Sequence, residues 1–440
     1  MLRSNFPRFI ACVSGCMAVA IMAQTPPNGE IPAAKTTQSV ETPAPDAPPF
    51  PAWEKFSAGI HDLWPRMYAK LPPRLRDDPQ VQQEAARLLL SALTQQAIEA
   101  IAADGDHPVF LPHIGLTLNV GQPNADTTYR SARITPRGSY RLRGTAGSLP
   151  IAKIGQMGPT PDQTGGGVKV IDYLDLKKLK TDASGHFDVL LSVEKPANYT
   201  GDWWKLDPAA TTLIIRQMGS DWLNEKDPTL AIERVDFPVA RPRPTAEDLS
   251  HRLTDIPRRA SNIANFLVDH AEGLRNAGFI NKLRVFDVSN GAALVGQFYY
   301  EGAYDLKPDQ ALIIEAKVPS KCAYYSILLT NQIYETTDWY NNLASLNNAQ
   351  VNVDKDGILR VVVSAKDPGV PNWLDTSGYS EGVVQGRWTN CDAQPVPSVK
   401  LVPLSAVRAS LPADTPKVSP EQRERQIRDR RAAGQQRPLW

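Results

Sequence analysis

The spacing of apolar residues predicts two helical stretches. Over residues 79–103 apolar side chains recur every three or four positions, and Asp78 stands ahead of them as a candidate N-cap. Over residues 245–276 a capping-box-like start precedes a second stretch of this kind. Pro257 lies inside that stretch, so we expect the helix to break or kink there.

Elsewhere the apolar period is two, which is typical of strands with one buried face. Residues 127–133 and 140–144 alternate on either side of Pro136-Arg137-Gly138, a pattern that predicts a hairpin. Many short strands with Gly, Pro, Asn and Asp between them favour a sandwich or barrel. The other strand-like runs are 150–155, 168–174, 187–193, 212–218, 232–237, 283–288, 297–304, 311–318, 324–330, 358–365, 382–388 and 398–402.

These elements predict a mainly β (α+β) fold with two β-sandwich or jelly-roll-like lobes and flanking helices. The sequence shows no internal repeat and no coiled-coil heptads. In the final charged tail Arg alternates with Glu and Asp, so we expect a solvated helix there. The predicted segments are a signal peptide (1–23), a disordered spacer rich in Pro, Ala and Thr (24–51), a helix with the first β lobe (52–240), linking helices with the second β lobe (241–412) and the tail (413–440).

The first residues have the layout of a cleavable signal peptide. Arg3 and Arg8 precede an apolar run at residues 9–23 that is shorter than the ~20 residues needed to span a bilayer, and Ala23 suits cleavage. We therefore expect a periplasmic or secreted protein of a Gram-negative type of envelope, without a transmembrane anchor after cleavage. The alternative is a lipoprotein box ending at Cys16, although the apolar core lies mostly after that cysteine.

Charge and cysteine content narrow the function classes. The formal net charge is +1, from 48 Lys and Arg against 47 Asp and Glu, which argues against a nucleic-acid partner. Cys12 and Cys16 leave with the signal peptide, so Cys322 and Cys391 remain, and an even pair in an oxidising compartment predicts a disulfide. A metal or catalytic pair is the alternative, but neither cysteine has a CxxC neighbour or a nearby His.

Common catalytic and cofactor signatures are missing from the sequence. It contains no P-loop, no dinucleotide fingerprint and no HExxH. Gly165-Gly166-Gly167 is followed by neither Lys nor a helix, so it indicates a loop and not a phosphate cradle. His107 and His113 lie six positions apart without a third ligand in view. We therefore predict no cofactor and no metal.

Two segments are dense in residues that bind polar ligands. Residues 122–130 offer a carboxylate, a phenol and a guanidinium, although Asn and Asp also cap turns. Residues 330–342 and 371–375 combine Trp and Tyr with amides and carboxylates, which suits a cleft that stacks on a sugar or another ring. The alternative is that these Trp residues fill the second lobe. The candidate catalytic residues are Asp126, Tyr129, Asp338 and Tyr340, and the candidate ligand-binding residues are Asn124, Arg130, Asn331, Tyr334, Trp339, Asn341, Asn342, Asn372, Trp373 and Arg387.

The same segments carry a family resemblance. The stretch from Asn124 to Tyr129 resembles the Asn-x-Asp-Thr-x-Tyr strand of the bacterial domain of unknown function 1254. Pro371-Asn372-Trp373-Leu374, followed by Gly386-Arg387-Trp388, resembles the Asn-Trp-Leu and Gly-x-Trp signatures of its companion, domain of unknown function 1214. The resemblance implies a β-sandwich, jelly-roll-like protein, often exported, with no established general activity.

Two functions compete at this point. The first is an extracytoplasmic lyase or hydrolase acting on a carbohydrate or ring-bearing small molecule, with Asp126 or Asp338 as acid or base. The second is a non-catalytic ligand-binding or envelope-assembly protein that uses the same cleft. A purely structural envelope protein is a weaker third. In the first hypothesis, Tyr129 or Tyr340 is the partner of this acid or base. Arg130 or Arg387 stabilises the negative charge that develops on the substrate.

Overall fold

The computed structural model describes residues 50–159, 168–286 and 294–439. The predicted signal peptide, the Cys16 alternative, the spacer up to residue 49 and the Gly165-Gly166-Gly167 run lie outside these ranges. None of the described helices combines the length and the apolarity that crossing a membrane requires. The helices are α1 Pro51–His61, α2 Leu63–Lys70, α3 Pro73–Arg76, α4 Pro79–Ala102, α5 Ala246–Asn276 and α6 Pro420–Gln436.

Helix α4 begins where the sequence predicts it. The Asp78 carboxylate accepts a hydrogen bond from the backbone N–H of Gln80 at 2.8 Å, and Pro79 occupies the first helical position, where no N–H is needed. Helix α5 begins with the Thr245 hydroxyl accepting from Asp248 N. It runs on through Pro257 instead of breaking there, and Pro257 is buried. The short helices α1 to α3 precede α4 and have no counterpart among the predicted elements.

The strands fall into two consecutive sets of nine within the described residues. The first set is β1 Leu111–Pro112, β2 Thr127–Arg133, β3 Tyr140–Thr145, β4 Ile151–Pro159, β5 Val168–Asp175, β6 His186–Ser192, β7 Asp202–Lys205, β8 Thr212–Met218 and β9 Thr229–Arg234. The second set is β10 Arg284–Phe286, β11 Gln297–Asp305, β12 Gln310–Lys317, β13 Cys322–Leu329, β14 Ser345–Asn347, β15 Ile358–Ser364, β16 Trp373–Asp375, β17 Glu381–Cys391 and β18 Ser398–Pro403.

Both sets are wound in the same way. The first lobe has a five-stranded sheet in the order β1-β2-β8-β4-β5 and a four-stranded sheet in the order β7-β6-β3-β9. Adding nine to every strand number gives β10-β11-β17-β13-β14 and β16-β15-β12-β18, which are the two sheets of the second lobe. Even the parallel edge pairs, β6 with β7 and β15 with β16, correspond. The topology is therefore duplicated, although the sequence shows no repeat.

Each lobe is a sandwich with its own apolar core, as predicted for a mainly β fold. In β17 Val384 and Trp388 belong to the core between the two sheets of the second lobe, whereas Arg387 lies on the opposite face. In β8 Leu213 and Ile215 fill the first core in the same way. Successive side chains of a strand point to opposite faces, so each five-stranded sheet has an outer face of its own. Both lobes belong to one compact unit, Phe50–Trp440.

The predicted hairpin of residues 127–133 and 140–144 is wrong. The turn between them exists, since Gly138 N donates to Thr135 O and Arg137 has a φ of 63°. Strand β2, however, pairs with β1 and β8 in one sheet, whereas β3 pairs with β6 and β9 in the other. The turn carries the chain across the sandwich, and the Tyr140 hydroxyl packs under it by donating to Gly105 O at 2.7 Å.

The C-terminal tail forms the predicted helix, and one side of it is buried against the lobes while the other is solvated. Ser419 and Gln422 make a capping box at the start of α6. Arg423 and Arg430 of α6 are buried, as is Arg437 just after it. Arg430 donates hydrogen bonds to Trp339 O, Gln350 Oε1 at 3.0 Å and Ser345 Oγ. The arginines on this side of the helix therefore bind the lobes, while the other charged residues face solvent.

The predicted disulfide is confirmed. Cys322 begins β13 and Cys391 ends β17, and the two residues are directly opposite each other across these antiparallel strands. The bond therefore closes one end of the strand pair that carries Arg387.

Candidate active site

A cavity of about 690 Å³ lies between the outer faces of the two five-stranded sheets, and helices α4 and α5 also line it. Its size falls within the range of roughly 300–1,000 Å³ that small-molecule sites occupy. The walls combine apolar and aromatic side chains with eight amide, imidazole and guanidinium side chains. The lining residues are Gln95, Gln96, His113, Ile114, Val120, Gly121, Gln122, Tyr129, Met157, Ile214, Arg216, Ile263, Phe266, His270, Phe286, Tyr299, Tyr334, Gln385 and Arg387.

One histidine in the cavity is held by a buried carboxylate. His270 of α5 places Nε2 2.9 Å from Glu301 Oε2 of β11, and the Glu301 side chain has no exposed surface. The other carboxylate oxygen of Glu301 accepts from the Arg284 guanidinium at 2.9 Å. The imidazole also lies against the rings of Tyr334 and Phe286, at centroid distances of 4.4 and 4.9 Å. These contacts fix both the position and the orientation of the imidazole.

The carboxylate also fixes which nitrogen carries the proton. An ionised carboxylate only accepts hydrogen bonds, so the neutral imidazole of His270 has its proton on Nε2, facing Glu301. Its Nδ1 then presents a lone pair, and no described residue hydrogen-bonds to that atom. A histidine oriented in this way by a buried carboxylate is the arrangement that general-base catalysis uses.

A short chain of hydrogen bonds runs from Arg387 to Tyr334. The Arg387 guanidinium donates to Gln385 Oε1 at 2.9 Å, and Gln385 Nε2 donates to the Tyr334 hydroxyl at 2.7 Å. Arginine can only donate, which fixes the orientation of the Gln385 amide. Tyr334 therefore accepts from Gln385 and keeps its own proton for another acceptor. Burial raises the pKa of Tyr334 well above its ordinary value, so the phenol stays protonated.

Two further donors of the cavity have no partner among the described residues. They are Nε of Arg387 and Nε2 of Gln122, and both atoms are buried. Gln122 and Tyr334 also have left-handed backbone conformations, with φ values of 54° and 68°. Such backbones are costly for residues with side chains and are often found at functional sites. Buried donors without acceptors favour a ligand that carries oxygen acceptors.

The charge of Arg387 is balanced only at a distance. Its side chain is 3% exposed, and no carboxylate in the described part of the chain forms a salt bridge with it. The guanidinium lies over the ring of Tyr299, 5.1 Å from the centroid, in a cation–π contact. Burial lowers the pKa of Arg387, but the nearby phenols of Tyr299, Tyr129 and Tyr324 and the carboxylate of Asp126 raise it, and the net shift is upward. The cavity wall at Arg387 therefore attracts an anion.

The first lobe contributes a tyrosine, an arginine and a histidine to the wall of the cavity. Tyr129 of β2 lies directly opposite Arg216 of β8, and both line the cavity beside His113. Burial and the nearby Arg216 cation lower the pKa of His113 to about 4, so this imidazole is neutral at neutral pH. Its Nδ1 lies 3.3 Å from Ser131 Oγ.

Three of the predicted site residues, Tyr129, Tyr334 and Arg387, come together in this cavity. Asp126 does not line it. The Asp126 carboxylate accepts from Trp222 Nε1 at 2.8 Å, the Tyr324 hydroxyl at 2.6 Å and Asn347 Nδ2 at 2.7 Å, so its hydrogen-bonding capacity serves to join the lobes. The remaining residues of the first segment are also bound: Asn124 Nδ2 donates to the Tyr324 hydroxyl, and Arg130 Nε donates to Gln217 Oε1.

The second predicted segment lies mostly elsewhere. Asp338 caps a turn by accepting from Tyr340 N and Asn341 N, both at 3.0 Å. The Tyr340 hydroxyl donates to Gly434 O, which attaches α6. Asn331 donates to the buried Glu335. A second cavity, of about 450 Å³, is lined in part by Asn331, Asp338, Trp339 and Asn342.

Asn372 and Trp373 lie where β16 begins, and both side chains hydrogen-bond to backbone carbonyls. The Asn372 side-chain amide donates to Asn352 O at 2.6 Å and to Arg360 O at 2.9 Å. Trp373 Nε1 donates to Ser364 O, and the Arg423 guanidinium lies over the indole. Asp126, Asp338 and Trp373 therefore do not share a cavity with Tyr129.

Sequence reasoning missed His270 and Glu301. Both residues belong to regular elements, and the contact between them is made only when α5 packs on β11. The sequence carries no signal for Glu301, because alternation along β11 places it on the same face as Gln297 and Asp305, where a polar side chain is expected. Across the described ranges, no group of three or more His, Cys, Asp and Glu side chains is arranged to hold a metal ion.

Fold and site together define a protein of two topologically equivalent β-sandwiches with a small-molecule cavity between them. Residues 302–384, in the second lobe, match the family described as "Protein of unknown function (DUF1214)". An uncharacterised protein from Burkholderia cenocepacia has a similar solved structure, with 27% identity and a TM-score of 0.74 over 81% of this chain and 98% of that chain. A Vibrio parahaemolyticus protein gives 12% identity and a TM-score of 0.39 over 72% and 99%. None of the curated proteins compared with the chain matches it.

Proposed function

We propose that the protein is an exported enzyme, a lyase or hydrolase, that acts on a small ring-bearing acid in the cavity between the lobes. The observation that carries the proposal is the His270 imidazole, bound through Nε2 to the buried Glu301, in the same cavity as the Arg387 cation. A base and a set of donors thus line one cavity. An acid such as an aromatic carboxylate or a sugar acid suits the aromatic walls and the donors together.

The roles follow from the hydrogen-bond capacities. His270 Nδ1 takes a proton, either from the substrate or from a water molecule that attacks it, while Glu301 stabilises the imidazolium that forms. Arg387, Tyr334 and Gln122 donate to the substrate oxygen where negative charge develops. Asp126 and Asp338 have no part in this mechanism, because their oxygens already accept several protein hydrogen bonds.

Two further features belong to this proposal. Residues 1–23 direct export, and the disulfide between Cys322 and Cys391 supports an oxidising compartment. The stretch from Asn124 to Tyr129 relates the first lobe to domain of unknown function 1254, in addition to the match of the second lobe.

A ligand-binding protein without turnover is the second candidate. The apolar part of the cavity wall, which includes Ile114, Ile214 and Ile263, favours it because these side chains retain a ligand without chemistry. In this case His270 is one more polar contact to the ligand.

The test uses a panel of ring-bearing acids that includes benzoate and glucuronate. Thermal shift identifies the acids that bind, and product analysis by NMR identifies those that are consumed. We expect His270→Gln to keep the thermal shift and to lose about 100-fold or more of the turnover. His251→Gln is the matched control, because His251 is an exposed histidine of the same helix.

The outcomes separate the candidates. An acid that stabilises the protein and is consumed by it, with turnover lost in His270→Gln alone, supports the enzyme. An acid that stabilises the protein and is never consumed supports the binding protein. If no acid stabilises the protein, the cavity does not bind this class of ligand.

A further inference from the structure

We propose that the ligand carries two acidic groups, one at each end, and that each lobe holds one of them. This inference rests on the ligand site of the proposed function but not on the chemistry proposed for His270. It comes from the duplication of the lobes, because the two walls of the cavity are equivalent faces of two sandwiches with the same topology.

The equivalent positions carry the same residues. Tyr129 is the third residue of β2 and pairs with Arg216 of β8. Tyr299 is the third residue of β11 and pairs with Arg387 of β17. Under the correspondence of strands, β2 matches β11 and β8 matches β17. Each lobe thus presents a cross-strand Tyr–Arg pair, and all four side chains line one cavity.

The half of the cavity formed by the first lobe can bind an anion by itself. The Tyr129 hydroxyl accepts from Asn124 N at 3.2 Å, so its own proton is available to a ligand oxygen. Arg216 hydrogen-bonds with Tyr173, which orients the guanidinium beside the cavity. Burial keeps His113 neutral there, so Arg216 is the cation of this half. An oxyanion placed here meets a phenol and a guanidinium, the same pair of groups that Tyr334 and Arg387 offer in the other half.

Electrostatics favours two anions over one. Arg216 and Arg387 both line the cavity and both act on the phenol of Tyr299, so the two cations lie near the same ring. Two like charges in a poorly solvated space repel, and a ligand with a single carboxylate neutralises only one of them. A dicarboxylate on a ring neutralises both and leaves its ring against the aromatic and aliphatic walls.

Calorimetric titration with benzoate and with benzene-1,4-dicarboxylate tests this inference on the whole protein. We expect the dicarboxylate to bind about tenfold more tightly or better, since it adds a charge-assisted hydrogen-bonding group. Arg216→Gln should remove this preference and leave the affinity for benzoate within about twofold, whereas Arg387→Gln should weaken both acids. Arg141→Gln, in an exposed ion pair with Asp188, is the control.

Tyr129→Phe provides a second variant, because it deletes one hydroxyl and keeps the ring. It should weaken the dicarboxylate about threefold or more and leave benzoate unchanged. Equal affinity of the wild-type protein for the two acids overturns the inference while the ligand site stands. A preference that survives in both Arg216→Gln and Tyr129→Phe also overturns it. If neither acid binds, both the inference and the proposed ligand class fall.

Discussion

The buried carboxylate of Glu301 joins His270 and Arg284, each at 2.9 Å, and so connects helix α5 to the edge of the second lobe. Neither contact is between neighbours in the sequence. Because Glu301 has no exposed surface, its charge is stable only while both donors are present.

Glu301→Gln should therefore destabilise the protein. A neutral amide keeps one accepting oxygen but places its NH2 group against the other donor, and it removes the charge that both donors face, so we expect a loss of about 3 kcal/mol in the free energy of unfolding. Urea denaturation measures it. Asp305→Asn on the same strand removes the half-exposed partner of Arg275 and should cost less than ~1 kcal/mol. Equal losses in the two variants would contradict the buried role of Glu301.

The arginine that α6 inserts between the lobes predicts a second stability effect. Arg430→Met leaves Trp339 O, Gln350 and Ser345 without their donor, and we expect a loss of about 2–4 kcal/mol. Arg428→Met on the exposed side of α6 should change stability by less than ~0.5 kcal/mol. Chemical denaturation compares the two variants, and a cost no larger for Arg430→Met than for Arg428→Met would show that α6 is not bound through this side chain.

His113 predicts a stability change with pH. Its pKa is about 4 in the folded protein and about 6.5 in an unfolded chain, so only the unfolded state takes up the proton between these values. The stability that the neutral His113 contributes to the folded state is fully present above pH ~6.5. It is lost as the pH falls towards 4, and the free energy of unfolding then decreases by about 1–3 kcal/mol. His113→Gln should flatten that part of the profile of unfolding free energy against pH. His251→Gln should leave it unchanged, and a profile identical in all three proteins would contradict the prediction.

The disulfide predicts a coupled loss of stability and binding. It joins residues 69 positions apart, and the chain-entropy model assigns such a loop about 4 kcal/mol. Cys322→Ser combined with Cys391→Ser should lower the free energy of unfolding by an amount of this order. It should also weaken binding of ring-bearing acids, because β17 carries both Cys391 and Arg387. Binding that is unchanged once the cysteines are shown to be replaced and the protein folded would separate the disulfide from the site.

The sequence is most informative where structure is local. Alternation along β8 or β17 and the Asp78 cap of α4 depend on neighbours in the chain, and these elements were predicted within a few residues. The hairpin prediction is wrong because turn chemistry at residues 136–138 specifies a reversal and not the sheet that the next strand joins. The tail prediction gives the helix but misses its buried side, because the partners of Arg430 lie 80 to 91 positions away.

The difference between local and long-range contacts also explains which residues of the site the sequence predicts. Tyr129, Tyr334 and Arg387 stand in polar or aromatic segments that attract attention in the sequence, and all three line the cavity. His270 occupies an ordinary helical position, and Glu301 lies 31 residues further on. Their pairing depends on how α5 packs on β11. The equivalence of Tyr129 with Tyr299 likewise becomes visible only when strand order, and not residue identity, is compared.

The polar cluster around Asp126 has a consequence for how the chain folds during synthesis. Tyr324 and Asn347 come from the second lobe, and Arg437, which donates to Asp126 O at 2.9 Å, is separated from it by 311 positions. When the first lobe leaves the ribosome, most of the donors for this carboxylate have not yet been translated. The nascent chain must therefore keep Asp126 hydrated, and the seam between the lobes can close fully only after Arg437 has been translated.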